Sequence, residues 1–433
     1  MKSTRARTAL AVAALVPLLA MTACSGAGSS DAASGGHITL DFWGWAPGYD
    51  DSVKLWNASH PEIQVKFNTI PSGSGGGYAK MQAAVKAGTA PCLAQVGDES
   101  LPTFVASGAL ADISPYAKAS ADKFVKWTWN QVSVADKIVA IPVDTGPMAM
   151  FYRTDILKKD GIAVPTTWQE FADAAKKFKA TGAANYLTTS PQDAYDVAAY
   201  SWQAGGPWFG IDGNSWKVSI DNPQTQKVAA YWQDLVAGGL VKSEPTLAEG
   251  WIKDVAADHI PIMISAVWAA PLIQSSLPAQ AGKWAVAPMP QWTAGETAAG
   301  NNGGSTTAVL KGCKNLKEAT QFATWFSTDK SSVANLIKKT GIYPASKAAL
   351  EMPELNQPSA FYGGQDIYKV FKDAAANTDT SWKWGPTMTQ VETDFTDGIG
   401  KATTGSDTLP GVVTAVQKST VTAMKSQGLS VTQ

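Results

Sequence analysis

Arginine is all but missing: beyond residue 23, Arg153 is the only one. Proteins that clamp phosphates or carboxylates rely on the bidentate guanidinium fork, so its scarcity disfavours an anionic ligand. Histidine is nearly as rare. His37, His60 and His259 are scattered without metal-ligand spacing, which removes the usual zinc sites. Past residue 23 no stretch is long and apolar enough to anchor in a bilayer. The charge balance of that remainder is only mildly acidic, which argues against nucleic acid as a partner. No GxSxG elbow, HExxH or catalytic Cys/His signature occurs, and no internal repeat.

What is present begins with an address. Lys2, Arg5 and Arg7 precede an apolar stretch, Ala9–Ala20, too short to span a membrane as a helix. The run Leu19-Ala20-Met21-Thr22-Ala23-Cys24 resembles a bacterial lipobox, which implies a signal peptide over 1–23 and a lipid on Cys24. Plain secretion is the competing reading. Residues 24–36 (CSGAGSSDAASGG) fit a flexible tether. The remainder is too large for one ordinary core, so two domains are expected. It holds two cysteines, Cys92 and Cys313, and an even pair in an exported chain suggests a disulfide rather than two buried thiols.

Periodicity predicts an α/β fold. Ile38–Phe42 alternates as a strand, Asp50–Ser59 can form a helix burying Val53 and Trp56, and Ile63, Val65 and Phe67 recur at period two. Tyr78–Ala87 reads as helix and Leu93–Val96 as a third strand. This βαβαβ order implies a parallel sheet with right-handed crossovers. Later helices carry start signals: Thr167 with Glu170 as a capping box, Asn222 before Pro223, and Asn315 with Glu318. Strand-like runs lie at Ile138–Val143, Met148–Tyr152, Pro261–Val267, Lys283–Ala287 and Thr306–Leu310.

Ligands of open α/β sheets sit beyond the carboxyl ends of the strands. Those ends carry Trp43-Gly44-Trp45, the Gly73–Gly77 run before Tyr78, and Gly97-Asp98-Glu99. Indoles and phenols pack on the apolar faces of pyranose rings, and carboxylates accept hydrogen bonds from paired hydroxyls. Each piece also has a plain reading. Trp43 can be core, the glycine run a simple loop, since it fits neither phosphate-binding spacing, and Asp98 and Glu99 helix-start residues. With 17 tryptophans, most must be core, and a subset in loops is expected to stack on ligand.

The order of several segments resembles the extracellular solute-binding proteins of ABC sugar importers, the group that includes maltodextrin-binding protein. They are Ile38–Trp45, Ala90–Asp98, Ile141–Tyr152, Val164–Phe171, the Trp268 run, Gly303–Ser305, Ala323–Phe326 and Ile342–Pro344. The resemblance implies a two-lobed, type II periplasmic-binding-protein-like fold, each lobe a mostly parallel sheet flanked by helices, with a multi-crossing hinge. Lobe one would be 37–145 plus 287–328, and lobe two 146–286 plus 329–433. Cleft-facing positions would be Trp45, Tyr78, Asp98, Asp144, Trp208, Trp268, Gly304, Tyr343 and Trp384. The Gly/Pro-flanked Trp208, Trp268 and Trp384 are expected to stack on ligand, whereas Trp168, Trp232 and Trp325 belong to striped helices and the core. In this family the Thr306–Leu310 strand returns antiparallel within the first lobe, which would bring Cys313 beside Cys92. The implied function is capture of a sugar, an oligosaccharide by preference, and delivery to an ABC permease, by a monomer lipid-anchored on the outer face of the membrane. No cofactor, metal or catalytic residue is expected. A secreted glycoside hydrolase and a binder of another solute class are the alternatives.

Overall fold

The computed structural model describes residues 37–134 and 136–432, so the lipobox and Cys24 lie outside the described residues. The alternation seen in the sequence becomes a strand at Ile38–Gly44, with Leu40 and Phe42 fully buried between exposed Thr39 and Asp41. It pairs in parallel with Ile63–Thr69 on one side and Leu93–Gly97 on the other. The sheet then continues through Ser305–Val309, which is antiparallel to Leu93–Gly97, and ends on Ala140–Pro142. In that register Leu93 faces Val309, which brings the chain ends beyond them together, and Cys92 and Cys313 are disulfide-bonded with Cα atoms 4.6 Å apart. A bond spanning 221 positions restricts the unfolded chain strongly and stabilises by about 3–5 kcal/mol in the chain-entropy picture.

A second sheet centres on Met148–Arg153, flanked by Ile262–Ala266 and Trp284–Ala287. Both pairings are antiparallel, so the mostly parallel sheet expected in each lobe is found only among the first three strands of the first. The reason is topological. Met148–Arg153 carries the chain away from the first sheet, and its two neighbours run back toward it. Helices cover this sheet as their sequences dictate. Thr167 and Glu170 form the expected reciprocal capping box, and Trp168, Phe171 and Phe178 of the helix Trp168–Lys179 turn inward. Asn222 caps the helix Pro223–Ala237 by accepting from Gln224 N and Thr225 N at 3.0 and 2.9 Å. Asn315 precedes the helix Leu316–Thr328, which packs on the first sheet instead, and makes no side-chain cap bond.

Separate hydrophobic cores define the two lobes. The first gathers residues from Leu40 to Val143 and again from Ala308 to Leu355. The second lobe holds two clusters, drawn from Met148 to Met289 and from Phe361 to Met424, together with Tyr343. Val333, Leu336 and Ile337 therefore pack with the first sheet, although 329 onward was expected in the second lobe. The apolar stripe of the helix Lys330–Thr340 faces the first core. The chain crosses between cores three times, and the first two crossings bind each other and a later strand. Asp144–Thr145 pairs with Tyr343–Pro344, and Pro147 bridges Asn301. Glycine at 146 is required by this approach, since a Cβ there would stand 2.1 Å from the Asn302 carbonyl oxygen.

Candidate functional site

The carboxyl ends of the first sheet meet the second lobe across a cleft. Trp45 follows the first strand, and its backbone N–H is fixed by Gln95 Oε1 at 3.0 Å. Its half-buried indole stands edge-on to Tyr78 with ring centroids 5.8 Å apart. The Tyr78 hydroxyl donates to Glu99 Oε1 at 2.5 Å and accepts from Gly97 N at 3.0 Å. The glycine run before it proves to be neither phosphate cradle nor slack loop. A Cβ on Gly73 would fall 2.2 Å from the Tyr78 ring, so the turn wraps the phenol more closely than any side chain allows.

Asp98 is 4% exposed, its backbone N–H donates to Gly304 O at 3.0 Å, and its Oδ1 has no partner. Gly304 has φ of 106°, and a Cβ there would reach within 2.4 Å of the Asp98 carboxylate, so glycine is doubly required. Asp144 Oδ1 accepts from the Ser305 N–H at 2.6 Å and from the Ser305 hydroxyl at 2.7 Å.

The second lobe answers with carboxylates of its own. Asp193 caps the helix Ala194–Gln203, accepting from Asp196 N at 2.9 Å. Glu392, on the helix Met388–Thr403, accepts from Ala194 N at 3.0 Å. Asp196 accepts from Asn302 Nδ2 at 3.2 Å, which ties it to a crossing segment. The Ser100 hydroxyl donates to Glu99 Oε1 at 3.3 Å. Trp268, half-buried, donates its indole N–H to Asn302 O at 2.9 Å.

All six carboxyls are pushed toward the neutral form. Burial is the main cause in each, and like charges add to it for most. Asp98 lies well above the carboxylate range through burial, then Glu99 and Asp144. Asp144 is pushed up to about 6 by burial, against the Ser305 bonds. Glu99 and Asp193 are raised by burial in spite of the hydrogen bonds they accept. Asp196 and Glu392 are raised by burial and then by Asp193. No lysine or arginine acts on any of them among the described residues. Such a site can accept hydrogen bonds from hydroxyls and, where protonated, donate one. A second anion would be repelled.

The expected residues divide. Trp45, Tyr78, Asp98, Asp144, Trp268 and Gly304 lie along the cleft and its crossings. Trp208 does not: it is fully buried, donates to Thr225 Oγ1 at 3.1 Å and stacks on Phe395. Trp384 is 5% exposed and packs among Trp202, Trp382 and Tyr195. Tyr343 is buried in a crossing strand, where the charges acting on its phenol are Asp373 and Glu351, not the six carboxylates. Trp43 is half-buried against the first core with Lys80 Nζ over its ring. Asp193, Tyr195, Asp196 and Glu392 were not singled out from the sequence. Their one local signal is Asp193 three residues before Asp196 at a helix start. A separate groove of about 460 Å³, lined by Gln203, Lys227, Trp292 and Glu296 among others, contains none of these groups.

Two cored lobes, three crossings and a polar-aromatic cleft define a hinged binding protein of the type II class. The chain belongs to the bacterial extracellular solute-binding protein family, whose sequence model matches residues 44–332. It is similar to the lactose-binding protein of Rhizobium radiobacter, 25% identical over 79% of this chain and 83% of the relative. Among solved structures it resembles the galacto-N-biose-/lacto-N-biose I-binding protein of the ABC transporter from Bifidobacterium longum, in complex with lacto-N-biose. That likeness has 31% identity and a TM-score of 0.83 over 92% of this chain and 99% of the other. The ABC transporter associated binding protein of B. animalis subsp. lactis Bl-04, in complex with beta-1,6-galactobiose, gives 28% identity and a TM-score of 0.84 over 92% and 100%.

Proposed function

We propose that this chain is the extracytoplasmic substrate-binding lipoprotein of an ABC importer, capturing a short oligosaccharide between its lobes and delivering it to the permease as a monomer. The observation that carries the reading is the pairing of aromatic faces, Trp45 and Trp268, with carboxylates from both lobes and no cation among the groups acting on them. Pyranose rings offer C–H faces to the former and hydroxyls to the latter. The sugars bound by the relatives are of this kind. Judged by their cores, the closing lobes are 37–143 with 305–355, and 148–289 with 361–432.

A thermal-shift screen over lactose, lacto-N-biose, β-1,6-galactobiose and arabino-oligosaccharides tests the proposal. A ligand at a hundred times its Kd adds about 2.7 kcal/mol of stability, and absence of any shift across sugars would sink it. Recovering the bound sugar unchanged separates capture from the glycoside-hydrolase alternative, which would release monosaccharide. For the anchor, Cys24→Ala should release the protein from the membrane or block its processing; a mutant cleaved yet still retained refutes lipidation.

A further inference from the structure

The helix Met388–Thr403 starts poorly on its own. The first N–H groups of a helix need acceptors from outside it, yet Thr387, at the cap position, makes no side-chain cap bond. The Thr387 hydroxyl oxygen is itself buried without a partner. The Met388 N–H is satisfied instead from the other lobe, donating to Thr103 Oγ1 at 3.2 Å. Thr103 sits in the short helix Leu101–Ala106, which begins two residues after Glu99 of the first lobe.

This contact falls on a helix that carries one of the second lobe's carboxylates. Glu392 lies one turn beyond Met388 and binds Ala194 N, next to Asp193 and Tyr195. We infer that Thr103 is a clasp that supplies the missing helix cap only when the cleft is shut, making it a positioning residue that sets ligand affinity without touching the ligand. Opening the cleft exposes the Met388 N–H to water. The clasp bond then weights the closed form by the net worth of one hydrogen bond, about three- to tenfold in the equilibrium. A ligand's affinity scales with that closed population. The inference rests on the cleft being the ligand site.

The test compares wild type with Thr103→Val and Thr103→Ser. Three readouts are needed: lobe-to-lobe distance distributions without ligand from spin labels on the two outer surfaces, the Kd for the best sugar from the screen, and the melting temperature. Thr103→Val should shift the distance distribution toward open and weaken binding about three- to tenfold, mainly through faster release. Melting should stay within a few degrees, and Thr103→Ser should restore both properties. An unchanged distribution or Kd in Thr103→Val overturns the clasp. So does a serine variant as impaired as the valine one, which would mark Thr103 as packing only. If no sugar binds wild type, the sugar reading fails while the ligand-free distances still decide the clasp.

Discussion

The second lobe uses tryptophan in two ways. Trp202, Trp208, Trp382 and Trp384 form a closed cluster in which Trp202 and Trp382 stack at 4.6 Å and Trp208 lies on Phe395 at 5.2 Å. Trp268 caps the end of a strand at the cleft, half-buried, with its N–H fixed on Asn302 O. What separates them is where their faces go. In the cluster, each ring is surrounded by other rings, and its contribution is to the fold. At the cleft a tethered N–H holds the ring still while part of its surface stays available, which is how an indole is preorganised for a ligand.

The largest effect that could break this contrast is truncation within the cluster. Trp208→Ala removes a fully buried ring and leaves Thr225 Oγ1 without its donor. It should cost about 3–5 kcal/mol of unfolding free energy, while the fraction that remains folded binds sugar nearly as wild type. Denaturant melts and calorimetry on the same preparation measure both. A stable protein with lost affinity would move Trp208 into the site.

Titration sharpens the contrast next, since the indole cluster carries no ionising group and the cleft carries six carboxyls. Asp144 titrates at 3.8 when unperturbed and at about 6 in the folded chain. The folded state therefore binds the extra proton between those values. Its stabilising contribution is complete below about pH 4 and is lost as pH rises through 6. The other raised carboxyls extend the decline upward. Asp144 alone accounts for roughly 2–3 kcal/mol across that window. Asp144→Asn keeps an acceptor for Ser305 and removes the charge, so its stability should fall less steeply from pH 4 to 7 in urea melts. A slope equal to wild type would show that Asp144 is already ionised throughout.

Much of this could be read from residues alone, and the exceptions share a cause. The strands at 38–44, 63–69 and 93–97 were legible because burial on one face writes period two into the chain. The caps at Thr167 and Asn222 were legible because capping is a local bond. The burial of Trp208 and Trp384 was not legible because glycine and proline beside a ring mark a loop, not whether that loop lies over the core. Asp193, Asp196 and Glu392 were missed for the converse reason. A polar residue near a helix start looks the same whether it meets water or another lobe, and only tertiary packing sets the second lobe's helices against Glu99.

On the cleft side, Trp268→Ala and Trp45→Ala should each weaken sugar binding by about 1–3 kcal/mol. Neither should lower the melting temperature as Trp208→Ala does, because each ring keeps only part of its surface in the core. Calorimetric titration of both variants decides it. Normal affinity in both would remove the aromatic half of the proposed site.

The smallest effect belongs to the residue that joins the two populations. Trp384 is a member of the cluster, yet its ring also stands edge-on to Tyr195 at 6.4 Å, and Tyr195 lies between Asp193 and Asp196 at the start of their helix. An edge-to-face pair contributes about 0.5–1.5 kcal/mol beyond the area it buries, and only the part of it that orients Tyr195 reaches the ligand. Trp384→Leu keeps an apolar filling and removes the edge contact. Stability should then fall by about 1–3 kcal/mol as the cavity partly collapses, while affinity falls by no more than about 0.5–1 kcal/mol. The ratio carries the information. If affinity falls further than stability, Trp384 contacts the sugar directly, and the division between rings that build the lobe and rings that read the ligand would have to be redrawn at this residue.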